Sequence, residues 1–283
     1  MHWRIHKALT TLRRSVLRLR SSASESDLIE VSRRFWSGGA KSVGVDLGDY
    51  SHWEGAGPWL DHERWLALGA PHFRLSERLC EYSGVRRPLR RIVEWGCGGG
   101  ANAVHFLNEA ELYCGVDITQ ASIDECRRAL QARGYQGFEG AVVAPQDPEA
   151  FLERSREPFD FFLCTYVFEL LPSRAYGERI LRVASALLRP GGAGLIQIRY
   201  NDGSEGGAQL ATRYFQDCAR FNSYPIDQFW QHLEQAGLRP EFVHLVPTQL
   251  PGYSGSRYAY FAFVKPEDGS APVRPTSAQP SLT

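Results

Sequence analysis

The sequence predicts an α/β fold: a doubly wound, mostly parallel sheet carrying an N-terminal helical cap. Two observations lead to it. From Arg91 onward short apolar runs alternate with amphipathic segments, which is the pattern of βα units. The first of those runs, Ile92-Val93-Glu94-Trp95, opens directly into Gly96-Cys97-Gly98-Gly99-Gly100, the kind of bare turn that joins a strand to the next element.

Taken in order, residues 1–26 begin with Ile5, Leu9, Leu12, Val16 and Leu19 at steps of four and three, with arginines largely on the other side. That spacing predicts a basic amphipathic helix, followed by a serine-rich linker. Residues 27–88 hold Trp36, Trp53, Trp59 and Trp65 with His52, His62 and His72, and are expected to form the helical cap. The main domain covers 89–265. Strands are expected near 91–95, 112–117, 138–144, 159–165 and 193–200, with a helical pattern resuming at Ala101. One crossover helix runs from Thr119 to Gly134, and another is striped by Tyr176, Ile180, Ala184 and Leu187 and stops before Pro190-Gly191-Gly192. A glycine-rich aromatic insertion, 201–224, precedes a helix near 226–236 and two last strands near 241–246 and 258–264. Residues 266–283, with four prolines, read as a disordered tail.

The 283 residues carry 32 basic and 32 acidic side chains, so no overall field gathers nucleic acid. The six cysteines form no CxxC pair and read as free core thiols of a reducing compartment. With no apolar run of membrane-spanning length and no secretory signal, the expected location is the cytoplasm. Residues 1–20 could rest on the inner membrane surface, Trp3 and the leucines entering the headgroup layer; a helix packed on protein is the blander reading.

Glycines at 96–100 let a ligand approach the backbone. Asp117, ending the second strand 21 residues beyond Gly96, is placed to hold both hydroxyls of a ribose. Loop and acid together imply a nucleoside-bearing cofactor. A dinucleotide also fits Gly96-x-Gly98-x-x-Ala101, but Glu94, two residues before the first glycine, suits an ammonium group and would repel a pyrophosphate.

The sequence resembles the class I S-adenosylmethionine (SAM)-dependent methyltransferase family. Glu94-x-Gly96-x-Gly98-x-Gly100 is similar to its first motif, Gly115-Val116-Asp117 to the acidic end of its second strand, and Phe159–Cys164 to its fourth strand. Leu187–Leu195 is similar to its helix end, Pro-Gly-Gly turn and fifth strand. The resemblance implies a seven-stranded sheet of order 3-2-1-4-5-7-6 with the last strand antiparallel. It also implies SAM as cofactor, S-adenosylhomocysteine as product, and no metal. By the same resemblance Gly96, Gly98 and Gly100 line the methionine and ribose, Glu94 meets the amino group, Asp117 holds the ribose and Ile118 packs on adenine. Either Gln146 or Asp147 reads the adenine amino group, and Thr165 lies at the cofactor.

A sulfonium methyl needs mainly an aligned acceptor and exclusion of water, effects that supply up to ~7–11 kcal/mol. A hydroxyl acceptor also gains from a general base. Glu169, in the place where many family members carry a Leu-His-His-like stretch, is one candidate, and His52, His62 and His72 are the others. Their spacing of ten puts no three ligands on one helix face, so metal is not expected. Trp53, Trp59, Phe168 and Tyr200 are the expected acceptor contacts. The expected reaction is O-methylation of a small-molecule or saccharide hydroxyl. An amine acceptor, a nicotinamide-dependent oxidoreductase and a catalytically silent scaffold are the alternatives. The expected partners are a small-molecule or glycan acceptor, no nucleic acid, peripheral contact with membrane through residues 1–20, and a second copy in a homodimer.

Overall fold

A computed structural model describes residues 24–36, 48, 51–56, 60–200, 222–246 and 257–267. The expected basic helix, Trp59, the body of the 201–224 insertion and nearly all of the proline-rich tail lie outside these residues.

Seven strands form one sheet: β1 (Arg91–Trp95), β2 (Leu112–Asp117), β3 (Phe138–Val142), β4 (Phe159–Cys164), β5 (Leu188–Arg199), β6 (Arg239–Val246) and β7 (Tyr258–Val264). Their order is β3-β2-β1-β4-β5-β7-β6, as expected. The first five are parallel, and β7 runs antiparallel to both β5 and β6. This insertion of an antiparallel strand separates the sheet from the dinucleotide-binding order.

Strand residues alternate between two buried faces, which is why these runs are almost continuously apolar. Val93, Phe162, Ile196 and Phe261 point to one core; Ile92, Phe161, Leu195 and Ala262 point to the other. The first face is covered by α5 (Arg174–Leu187) and α6 (Ile226–Gln235), with Phe151 of α4 (Ala150–Arg154) and Ile29 of α1 (Glu25–Trp36). The second is covered by α2 (His62–Ser83) and α3 (Gln120–Gln131). Each fully buried aromatic such as Phe261 contributes roughly 1.5–3 kcal/mol of transfer free energy.

Local signals explain the boundaries. Thr119 caps α3 by accepting from Ser122 N, Ser173 caps α5 by accepting from Tyr176 N, and α2 ends at Gly84 with φ +66°. β5 starts earlier than the sequence suggests, at Leu188. Pro190-Gly191-Gly192 is absorbed into the strand, Gly191 N donating to Lys265 O and Lys265 N to Gly192 O.

One expectation fails. No α-helix follows the glycine loop; Ala103–His105 is a single 3-10 turn. The face a helix would cover is already taken by α2. A Cβ on Gly69 would lie 2.1 Å from Ala101 O, and His105 Nε2 donates to Leu66 O at 2.9 Å. The loop therefore has no long helix dipole behind it, and its attraction for a ligand rests on local N–H groups and on the two carboxylates.

Candidate active site

At the carboxyl ends of β1, β2 and β4, where open α/β sheets bind ligands, lies a cleft with a cavity volume of about 120 Å³. Glu94, Gly96, Cys97, Gly98, Asn102, Asp117, Ile118 and Thr165 border its polar part. Trp36, Val143, Pro145, Leu171 and Tyr176 border its apolar part. Among the described residues, no Lys or Arg lines it.

The glycines are small for several distinct reasons. Gly96 (φ +79°), Gly98 (φ +49°) and Gly100 (φ +88°) adopt left-handed backbone that other residues enter at a cost. A Cβ on Gly96 would also meet Val167 Cγ2 at 2.2 Å, and one on Gly98 would meet Ser51 O at 2.3 Å. The segment Ser51–Trp53 thus rests backbone-to-backbone on the loop. His52, with φ 53°, is held there by Trp65 Nε1, which donates to its carbonyl at 2.7 Å.

Glu94 is 1% exposed. Asn102 Nδ2 donates to its Oε1 at 2.6 Å and Tyr113 Oη to its Oε2 at 2.7 Å. Burial raises its carboxyl to about 8 despite these donors. Among the described residues, no cationic side chain pairs with it, so an ammonium group is the countercharge the site can accommodate. Asp117 accepts from Gly98 N at 3.2 Å and from Thr119 N at 3.0 Å, and burial raises its pKa as well. Acidic and amide groups at the loop together with apolar walls at Ile118, Val143 and Pro145 fit a cationic amino-acid nucleoside. Glu94, the glycines and Asp117 would hold it.

Of the sequence-predicted residues, the cleft brings together Glu94, the three glycines, Asp117, Ile118, Thr165, His52 and His72. Others lie elsewhere. Gln146 and Asp147 are exposed, Asp147 Oδ1 accepting from Ala150 N at 3.2 Å ahead of α4; Val143 and Pro145 line the cleft there instead. His62 sits on the surface, its Nδ1 2.5 Å from Glu54 Oε1. Phe168 is fully buried against Phe229 and Tyr224, because its 3-10 turn points it into the core below the sheet edge. Glu169 is buried beside Tyr258 Oη at 3.3 Å and is outside the cleft lining. Tyr200 pairs with Tyr224 in a bridge and also lies outside the lining. Trp53 packs its backbone over Gly99 and does not form a lid over the open space.

Around the predicted His72 the structure adds Asn102 and Tyr260, which sequence reasoning missed. His72 is 1% exposed; its Nδ1 lies 2.6 Å from Asn102 Oδ1 and its Nε2 2.9 Å from Tyr260 Oη. Asn102 Nδ2 also donates to Thr165 Oγ1 at 2.9 Å. Tyr166, with φ 59°, lines the cleft, its ring 5.0 Å from that of His52 and 5.7 Å from that of His72. Two signals were available: a lone amide at Asn102 within an apolar run, and tyrosines inside a buried strand, whose hydroxyls need partners. Burial pushes the imidazoles of His52 and His72 down to about 4, keeping both neutral at physiological pH. Among the described residues no three metal-ligating side chains gather, and no helix is long and apolar enough to cross a membrane.

Residues 93–193 match the family described as a methyltransferase domain. The chain is 29% identical over 106 residues to the ubiquinone biosynthesis O-methyltransferase of Ralstonia nicotianae, covering 36% of this chain and 40% of that protein. It is 29% identical over 119 residues to mRNA cap guanine-N(7) methyltransferase 1 of Arabidopsis thaliana, covering 38% and 32%. The chain thus spans less than half the length of these relatives. In fold it is similar to the N-methyltransferase NodS of Bradyrhizobium japonicum, solved with S-adenosylhomocysteine (TM-score 0.54, 14% identity, 78% of this chain and 97% of that one). A SAM-dependent methyltransferase of Clostridium acetobutylicum is also similar (TM-score 0.51, 11% identity, 73% and 92%).

Proposed function

Because residues 93–193 match a methyltransferase domain, we propose that this chain is a class I SAM-dependent methyltransferase that methylates a hydroxyl of an uncharged small molecule or saccharide. The observation that carries this reading is the composition of one cleft: Glu94, the glycine loop and Asp117 on one side, two neutral imidazoles and the Tyr166 phenol on the other. SAM supplies an electrophilic methyl group. The protein holds its amino-acid and ribose ends, excludes water with apolar walls, and offers a cap histidine to take the hydroxyl proton. An amine of low pKa needs only orientation. With carboxylates and no cationic side chain in the described lining, a phosphorylated acceptor would meet repulsion.

The test is incubation of the protein with methyl-labelled SAM and a small-molecule extract of the source cells, followed by mass spectrometry of labelled products. A methyl ether is expected. A labelled amine would replace this reading with N-methylation. Undiminished binding of S-adenosylhomocysteine with no labelled product would favour a silent scaffold.

A further inference from the structure

The carboxyl group of Glu94 is the end of a buried hydrogen-bonded chain that begins in the cap. His72 Nδ1 lies 2.6 Å from Asn102 Oδ1, and Asn102 Nδ2 donates to Glu94 Oε1 at 2.6 Å and to Thr165 Oγ1 at 2.9 Å. All three of His72, Asn102 and Glu94 are buried, so these groups depend on one another for partners. The cap helix is fixed where the contact is made. Gly69, one turn before His72, lies so close to the loop that a Cβ there would stand 2.1 Å from the carbonyl oxygen of Ala101, the neighbour of Asn102.

Charge dictates the direction of the amide. An ionised carboxylate offers only lone pairs, so the Asn102 atom facing Glu94 Oε1 is the nitrogen, both of whose protons are used by Glu94 and Thr165. The amide oxygen then faces His72 and accepts from Nδ1. Burial keeps the ring neutral, which makes Nε2 an acceptor for Tyr260 Oη at 2.9 Å. Were the amide reversed, its oxygen would face the carboxyl oxygen at the same 2.6 Å, an approach that only a protonated Glu94 tolerates. A proton on His72 Nδ1 and a negative charge on Glu94 thus select the same orientation of one amide.

Resting on the reading of the cleft as a SAM site, we infer that His72 and Asn102 are positioning residues for the subsite that receives the cofactor's ammonium group. His72 holds the Asn102 amide, and the amide presents an N–H to Glu94. Together with Tyr113 Oη, which donates to the other carboxyl oxygen at 2.7 Å, that N–H favours the charged form with which an ammonium pairs. A buried carboxyl without a countercharge resists ionisation, as the rise of Glu94 to about 8 shows, so a donor aimed at it adds directly to cation binding. The amino-acid end of the cofactor is thereby recognised through a residue of the cap. The ribose end is not, since Asp117 accepts from Gly98 and Thr119 and hydrogen-bonds to none of these side chains.

The experiment is calorimetry on the full chain with two ligands: S-adenosylhomocysteine and its deamino analogue, in which hydrogen replaces the amino group. The wild type is expected to prefer S-adenosylhomocysteine. His72→Phe and Asn102→Leu are each expected to cut that preference about 10-fold, the worth of a hydrogen bond to a charged group, with affinity for the analogue unchanged. His72→Asn, whose amide nitrogen can stand where Nδ1 stands, is expected to restore most of it. Equal weakening of both ligands, a preference kept in His72→Phe, or a His72→Asn no better than His72→Phe would overturn the inference. A second measurement needs no variant. In ¹⁵N-labelled wild type saturated with S-adenosylhomocysteine, long-range ¹H–¹⁵N correlation is expected to show His72 as the neutral Nδ1–H tautomer, and a charged ring or an Nε2–H tautomer would also overturn it. If both ligands bind the wild type equally, the cleft is a nucleoside site in which Glu94 receives no ammonium, and the positioning role is lost. If neither binds, the SAM reading itself falls and the subsite with it.

Discussion

The amide nitrogen of Gly99 donates to the carbonyl oxygen of Ser51 at 2.8 Å, so the cofactor loop is secured from outside by the N-terminal cap. A Cβ at Gly99 would come within 2.7 Å of Trp53 Cα, a backbone atom that cannot step aside.

Gly99→Ala is accordingly expected to destabilise the protein by about 1–3 kcal/mol through overpacking. Its urea unfolding midpoint falls, and its affinity for S-adenosylhomocysteine falls with it because the loop is displaced. A wild-type midpoint would show that the cap does not rest on the loop in solution.

Asp117→Ala is expected to weaken nucleoside binding by about 1–3 kcal/mol, through loss of charge-assisted hydrogen bonds and release of Gly98 N and Thr119 N. Calorimetry with S-adenosylhomocysteine measures it, and an unchanged dissociation constant removes the ribose role from this carboxylate.

Glu94 imposes a sign on pH dependence. Its carboxyl ionises near 4.5 when unfolded and near 8 when folded without a countercharge, so folding takes up a proton between those values. Stability of the free protein is therefore expected to fall as pH rises through that window, with Asp117, also raised, adding in the same direction. Binding of an ammonium group favours the carboxylate and releases the proton. Calorimetry near pH 7 in buffers of different ionisation enthalpy is expected to show proton release that is lost in Glu94→Gln.

At the apolar end, Gln146→Ala and Asp147→Ala are expected to leave nucleoside affinity within about 0.5 kcal/mol of wild type, as for other exposed side chains. Trp36→Ala, which removes a wall of the cleft, is expected to weaken it. The reverse outcome would return the adenine to the loop after β3.

The sheet was legible because its strands are buried on both faces and its turns are marked by glycine and proline. Glu94, Gly96, Gly98, Gly100 and Asp117 were legible because the spacing of a strand, a bare turn and a second strand end is set by backbone geometry. The acceptor side was not. His62 and His72 lie ten residues apart around α2, and only its packing on the sheet decides that His72 faces inward while His62 meets solvent. Phe168 and Tyr166 are two residues apart, yet a positive φ at Tyr166 followed by a 3-10 turn sends one to the cleft and the other to the core. The missing helix after Gly100 is a tertiary effect as well, since α2 occupies its place.

The bond between His72 and Tyr260 spans 188 residues of chain. During synthesis the nucleoside loop leaves the ribosome long before β7 does, so a nascent chain holds the glycines and both carboxylates while still lacking the phenol that completes the polar chain. The imidazole of His72 thus meets its last partner with the final strand, and a ribosome-stalled fragment ending ahead of Tyr258 would leave Nε2 without Tyr260 even where it folds around β1 to β5.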